Sequence, residues 1–253
     1  MFKNVIVRRP GRSLVNGIAS EDLGKPIYEK AIKQHEAYVE ALKKCGVEVT
    51  ILEADENYPD SCFVEDPAVV TKKCAIITNP GAKTRKGEQI SIRKVLEKFY
   101  ENIEEIKDPG TLEGGDVMMV GDHFYVGLSA RTNEEGARQF IEILRRYGYD
   151  GTMVPLRKVL HLKTGLAYLE NNNLLVAGEF VDSPVFEKFN KIVIDEKESY
   201  SANCIWVNGK VIVPAGYEKT KKAIEDLGYE VIEVDTSEYR KVDGGLSCLS
   251  LRF

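Results

Sequence analysis

No apolar run in this chain approaches the about 18 residues of a membrane-spanning helix. The opening stretch, Met1-Phe-Lys-Asn-Val-Ile-Val-Arg-Arg-Pro10, has an apolar segment too short for a secretory signal and no small-residue cleavage site. There is no CxxC pair. The five cysteines (Cys45, Cys62, Cys74, Cys204 and Cys248) are odd in number and scattered. That usage predicts reduced thiols in a cytoplasmic protein and argues against a disulfide framework or a zinc cluster. No glycine-rich phosphate loop is present, so no nucleotide is expected. No basic stretch is interleaved with aromatics, and a formal charge of −5 offers nucleic acid no general attraction. Histidine is scarce, with only His35, His123 and His161. Linkers and low-complexity tracts are missing too, so residues 1–253 read as one domain.

What is present is a pattern that restarts. Val5-Ile-Val7 has the character of a buried strand. A helix is predicted from about Pro26 to Lys44, stopped by Gly46, and the strand Val47–Leu52 follows. A polar turn, Pro59-Asp-Ser-Cys-Phe-Val-Glu-Asp66, then leads into Ala68-Val-Val70. The second round runs through strand Ala75–Thr78, helix Gly87–Tyr100, strand Ile103–Ile106 and turn Thr111-Leu-Glu-Gly-Gly-Asp116. The third has strand Phe124–Val126, a helix from about Asn133 to Tyr147, a strand near Thr152–Val154 and the turn at His161-Leu-Lys-Thr-Gly165. The fourth has Leu174–Ala177, a short helix near Val185–Asn190, Lys191–Ile194 and Ser201–Val207. The fifth has Val211–Val213, a helix from about Glu218 to Leu227, Tyr229–Val234 and the terminal Lys241–Phe253. Rounds of this size mark a propeller or array whose units must pack on one another. The predicted fold is therefore an α/β propeller of five ββαβ units, closed around a central pocket. A doubly wound sheet is the alternative that strand-helix alternation alone would allow.

Each round carries a polar turn at the same place. In order, the turns bring Asp60, Glu65 and Asp66; Glu113 and Asp116; His161; Asn203; and Asp243 with Cys248. Closure into a ring would gather these on the axis. A lone cysteine is more often a buried core residue, but a thiol that shares an axial pocket with a histidine and acids is a candidate nucleophile. Such a thiol reacts as thiolate, and a nearby His or a cationic substrate favours that form. His161 is the candidate acid–base group, because His35 on the first helix and His123 in a Gly-Asp-His turn read as surface residues. Glu113 would orient the imidazole, with Asp116 as the competitor. Glu65 and Asp66 suit a guanidinium, whose planar fork matches paired carboxylates. Being adjacent in sequence, they would face opposite ways in a regular strand, and only a local bulge would let both reach one ligand. Arg85 and Arg131 occupy matching loops and could clamp a carboxylate. The implied ligand has a guanidinium at one end and a carboxylate at the other.

The motifs Phe63-Val-Glu-Asp66, Thr111-Leu-Glu-Gly-Gly-Asp116, Gly127-Leu-Ser-Ala-Arg-Thr-Asn133, His161-Leu-Lys163, Ala202-Asn-Cys204 and Val242-Asp-Gly-Gly-Leu-Ser-Cys248 resemble those of the dimethylarginine dimethylaminohydrolase family, bacterial members in particular. The resemblance spans essentially the whole chain and implies the pentein fold, a five-bladed α/β propeller. It implies hydrolysis of Nω-methylated arginines to citrulline and methylamine or dimethylamine, through a covalent thiouronium on Cys248. His161 would be the acid–base group and Glu113 its support. Glu65 and Asp66 would hold the guanidinium, and Arg85 and Arg131 the α-carboxylate. Asp60 and the backbone carbonyl of Ile18 would take the α-amine, and the backbone at Val242 would line the pocket. Arg12–Ser20 would form a lid. No cofactor or metal is implied, and homodimerisation is left open. Arginine deiminase and a catalytically silent binding propeller are the competing readings.

Overall fold

The computed structural model describes all residues, Met1–Phe253. It contains five separate three-stranded sheets. The first joins β1 (Asn4–Arg8) to β2 (Glu48–Leu52) through α1 (Tyr28–Lys44). The second holds β3 (Ala68–Val70), β4 (Ala75–Ile77) and β5 (Ile103–Glu105), with α2 (Glu88–Leu96) in the crossover. The third holds β6 (Val117–Val120), β7 (His123–Leu128) and β8 (Asp150–Pro155), with α3 (Glu134–Arg146). The fourth is β9 (Leu166–Tyr168), β10 (Asn173–Val176) and β11 (Asn190–Val193). The fifth is β12 (Ile205–Val207), β13 (Lys210–Pro214) and β14 (Glu230–Val234), with α4 (Glu218–Glu225) and, beyond β14, α5 (Ser237–Arg240). In every sheet the middle strand runs antiparallel to the inner strand and parallel to the outer one.

The inner strand of the first sheet is β15 (Leu251–Arg252), which pairs Val5 with Arg252 and Ile6 with Leu251. The two ends of the chain thus build one blade, and the ring closes there. The five-unit reading holds.

The core explains why the middle strands are apolar on both faces. Val5 and Val7 pack into a cluster shared with the fifth blade, while Ile6 packs into one shared with the second. Val211 and Ile212 divide in the same way between the fourth and first blades. Because side chains alternate across a strand, each blade supplies half of two cores, and five cores form a ring.

Three expectations need correction. The helix near Val185–Asn190 is only a 3-10 turn, Pro184–Phe186. Phe180 and Phe186 are buried there, and Phe186 also meets Phe189 ring to ring, so a compact aromatic knot replaces a helix with one apolar face. His35 is buried, not on the surface; burial, with Arg9 nearby, lowers its pKa to about 4 and keeps the ring neutral. His123 is a half-buried residue of β7 whose Nε2 meets Thr152 Oγ1 at 2.9 Å.

Candidate active site

The polar turns meet on the axis because each connects the outer strand of one blade to the inner strand of the next. Cys248 lies in a 3-10 turn, Ser247–Leu249, immediately before β15. His161 precedes the turn Leu162–Thr164, and Glu113 precedes Gly114–Asp116. Cys248, His161 and Asp66 line one small cavity of about 30 Å³. Asp60, Arg85 and Arg131 line the same cavity, and Ile18 and Val242 complete its predicted members.

Glu113 stands behind the imidazole and is fully buried. His161 Nε2–H donates to Glu113 Oε2 at 2.8 Å. The other oxygen, Oε1, accepts the backbone N–H of Ala82 at 3.0 Å. Asp116 accepts the Leu162 N–H at 2.9 Å and the hydroxyls of Ser129 and Thr132. It therefore fixes the turn that carries His161 and leaves the ring contact to Glu113. The glycine pair between them is sterically required. A Cβ on Gly114 would sit 2.0 Å from the Glu65 carbonyl oxygen, and one on Gly115 would sit 2.9 Å from the His161 ring.

Charge in the site is unevenly distributed. Burial alone would push the His161 pKa down, but Asp66, the Glu113 hydrogen bond and Asp116 outweigh it and raise it to about 9. Burial raises the Cys248 thiol to about 12, and the Glu65 and Asp66 charges add to the effect. The site therefore pairs an imidazolium with a neutral thiol. Burial disfavours the Asp66 carboxylate too, yet Arg85 and His161 hold its pKa below the usual range.

Glu65 and Asp66 face opposite ways. Asp66 receives Arg85 Nη1 at 2.5 Å and the Gly115 N–H at 2.9 Å, on the catalytic side. Glu65 receives Lys163 Nζ at 2.6 Å, Arg252 Nη2 at 3.2 Å and the Ser247 hydroxyl at 2.8 Å. Its carboxylate lines a second, larger cavity and not the catalytic one. No bulge turns it round, so the expected carboxylate pair is not assembled.

The two arginines also differ. Arg85 is buried and committed: it bonds Asp66, Glu88 and the carbonyls of Asp60 and Phe63. Arg131 makes only long 3.4 Å contacts with Glu113 and keeps donors to spare. Sequence reasoning missed Glu88, although its i,i+3 spacing from Arg85 was a usable signal. The segment Arg12–Ser20, expected to act as a lid, contributes Ile18 to the cavity lining and is held by carboxylates. Glu56 accepts the N–H groups of Arg12 and Ser13, Asp60 accepts that of Ile18, and Asp243 accepts both the N–H and the hydroxyl of Ser20. Asn203 ties the two catalytic turns together. Its amide donates to the Lys163 carbonyl at 2.9 Å, and its oxygen accepts the Ser247 N–H at 2.7 Å.

Asp66, Glu113 and His161 are also spaced as a metal-ligand set, with ligand atoms within 4.8 Å of one another. Each already has a partner inside the protein, so no ion is needed to satisfy them.

Comparison with known proteins places this geometry. The family model for N,N dimethylarginine dimethylhydrolase, eukaryotic, matches residues 19–249. The N(G),N(G)-dimethylarginine dimethylaminohydrolase of Pseudomonas aeruginosa is 62% identical, over the whole of both chains. The chain belongs to the dimethylarginine dimethylaminohydrolase family. A solved structure of the Pseudomonas enzyme, a cysteine-to-serine variant complexed with citrulline, superposes with a TM-score of 0.99 over both full chains at 62% identity. A histidine-to-glycine variant of a dimethylarginine dimethylaminohydrolase, solved as an adduct with S-methyl-L-thiocitrulline, gives the same TM-score, 0.99, at 62% identity with both chains fully covered. The five-unit α/β propeller expected from the repeat, and the pentein fold that the resemblance implied, are thus the family's architecture.

Proposed function

We propose that residues 1–253 act as one catalytic domain that hydrolyses Nω-methylated arginines to citrulline and methylamine or dimethylamine. The observation that carries this is the convergence of Cys248, the His161–Glu113 pair and Asp66 on one cavity. The citrulline held by the Pseudomonas relative supports the product, and the thiocitrulline adduct supports covalent chemistry at sulfur.

Asp66 would hold the substrate guanidinium. That cation supplies the positive charge the buried thiol lacks, so binding lowers the thiol pKa and its proton leaves to solvent. The thiolate then attacks the guanidinium carbon. His161, already an imidazolium, protonates the methylated nitrogen, and the amine departs to leave a thiouronium. Neutral His161 next takes a proton from water as its oxygen attacks the same carbon. Collapse breaks the C–S bond, restores the thiolate and releases citrulline with one proton. Glu113 stabilises the imidazolium in both halves. Arg131 would take the α-carboxylate, with Arg85 contributing one Nη1–H while it braces Asp66. Asp60 would receive the α-amine alongside the Ile18 carbonyl, with the Val242 backbone as the adjoining wall. Glu65 would act on sulfur only through charge. A cavity of about 30 Å³ is small for such a substrate, and movement of the Arg12–Ser20 segment, which carries Ile18 of its lining, would enlarge it.

Citrulline formation from arginine, monomethylarginine and the symmetric and asymmetric dimethylarginines tests this reading. Monomethyl and asymmetric dimethyl substrates are expected to turn over best. A preference for unmethylated arginine would move the assignment to a deiminase, and no citrulline from any of the four would remove the hydrolase.

A further inference from the structure

The inner strands β3, β6, β9 and β12 each leave one of the axial polar turns and run away from the site. Together with β15 they line a second, half-open axial chamber of about 150 Å³, five times the volume of the catalytic cavity. Its walls are apolar, with Val117, Met118, Leu166 and Ile205 among them. Its floor is Glu65, and both Lys163 and Arg252 rest on that single carboxylate. One positive charge at the floor is therefore uncompensated. Lys163 Nζ donates to no protein acceptor other than Glu65, so two of its three N–H bonds are uncommitted. Glu170 is the only other charged residue of the lining, and it sits beyond the far end of β9 from Lys163.

We propose that this tunnel is a binding site for a small monocarboxylate with an apolar body of about benzene size, its carboxylate seated on Lys163 and Arg252. The volume matches the requirement, since an apolar cavity of about 150 Å³ accepts benzene. The charge matches as well, because one added anion brings the floor to neutrality. The walls supply the non-directional contact and the floor the orientation, which is the usual division of labour in a small-molecule site. Three floor residues are near neighbours of catalytic ones: Glu65 precedes Asp66, Ser247 precedes Cys248 and Lys163 follows His161 by two. An occupant that draws Lys163 off Glu65 leaves that carboxylate to act more strongly on the thiol. Occupancy thus lowers turnover without competing for the substrate pocket.

Benzoate is the probe. Crystals soaked with benzoate are expected to show it in the tunnel with its carboxylate on Lys163 and Arg252. In solution kcat should fall at least twofold and saturably while KM stays unchanged. Met119→Trp narrows the tunnel at an exposed wall position; it should keep full activity and lose the benzoate effect. Only waters in the tunnel of soaked crystals would overturn the proposal. So would a benzoate effect that raises KM at constant kcat, because that places the ligand in the catalytic cavity. The soak reads out binding without turnover, so its failure is distinct from failure of the hydrolase reading.

Discussion

The two chambers on the axis have opposite character, although residues adjacent in sequence line both. The catalytic cavity is small and lined by acids, arginines, a histidine and a thiol, whereas the tunnel is larger and mostly apolar. The difference arises within one turn: Glu65 and Asp66, joined by one peptide bond just before β3, project into different chambers. Size is therefore a poor guide to chemistry here. What marks the reactive chamber is the density of groups whose charge states are pushed away from their ordinary values.

Removing the sulfur is the largest way to break this contrast. Cys248→Ser should bring citrulline formation below about one thousandth of wild type, with citrulline affinity by calorimetry nearly unchanged. His161→Gly should cost about a hundred- to ten-thousandfold in kcat and likewise spare binding. The sharper comparison sets two neighbouring carboxylates side by side. Asp66→Asn should raise KM about thirtyfold or more, because the guanidinium loses its charged partner. Glu65→Gln should leave KM within about threefold and speed labelling of Cys248 by a haloacetamidine at neutral pH, since a negative charge beside the thiol has gone. Equal effects of the two substitutions on KM would erase the distinction between the chambers.

Next in size is a pH effect. The His161 pKa is raised above its ordinary 6.5 to about 9. Whatever stability its protonation contributes is fully present below about 6.5 and is lost as pH rises through about 9. Activity that depends on the imidazolium should share that alkaline limit. Glu113→Gln removes the hydrogen-bonded charge, so the alkaline limb of the kcat profile should move down toward 6.5, with KM little changed. The smallest expected effect comes from the Arg12–Ser20 segment. Ser20→Ala removes one of two hydrogen bonds to Asp243 and should shift KM by a few-fold, as expected for a loss of about 1 kcal/mol.

Much of this was legible in the sequence because turn chemistry and strand alternation are local. The five rounds showed through recurring short apolar strands, helices and polar turns, and the terminal Val242–Cys248 motif pointed to the nucleophile. Three things were not legible. Whether Glu65 or Asp66 faces the reaction depends on which way the turn enters β3, which is fixed by the backbone bonds of Gly114 and Gly115 to Asp66. The commitment of Arg85 depends on Glu88, which lies on a helix and not in a polar turn. The fourth crossover lost its helix to aromatic packing that no periodicity reports. Asn203 was visible as a polar-turn residue, but its bonds to Lys163 and Ser247 span 40 and 44 residues of chain, beyond the reach of any local pattern.

The pairing of β15 with β1 has a temporal consequence. The sulfur sits three residues before a strand that is the last to leave the ribosome among all those described here. The second to fifth blades can mature before the tail is made, but the first blade and the reaction centre cannot be completed until the tail swings back and docks beside the first strand. Ring closure and catalytic competence are one event, so a nascent or prematurely stopped chain carries every other part of the machinery and remains inert.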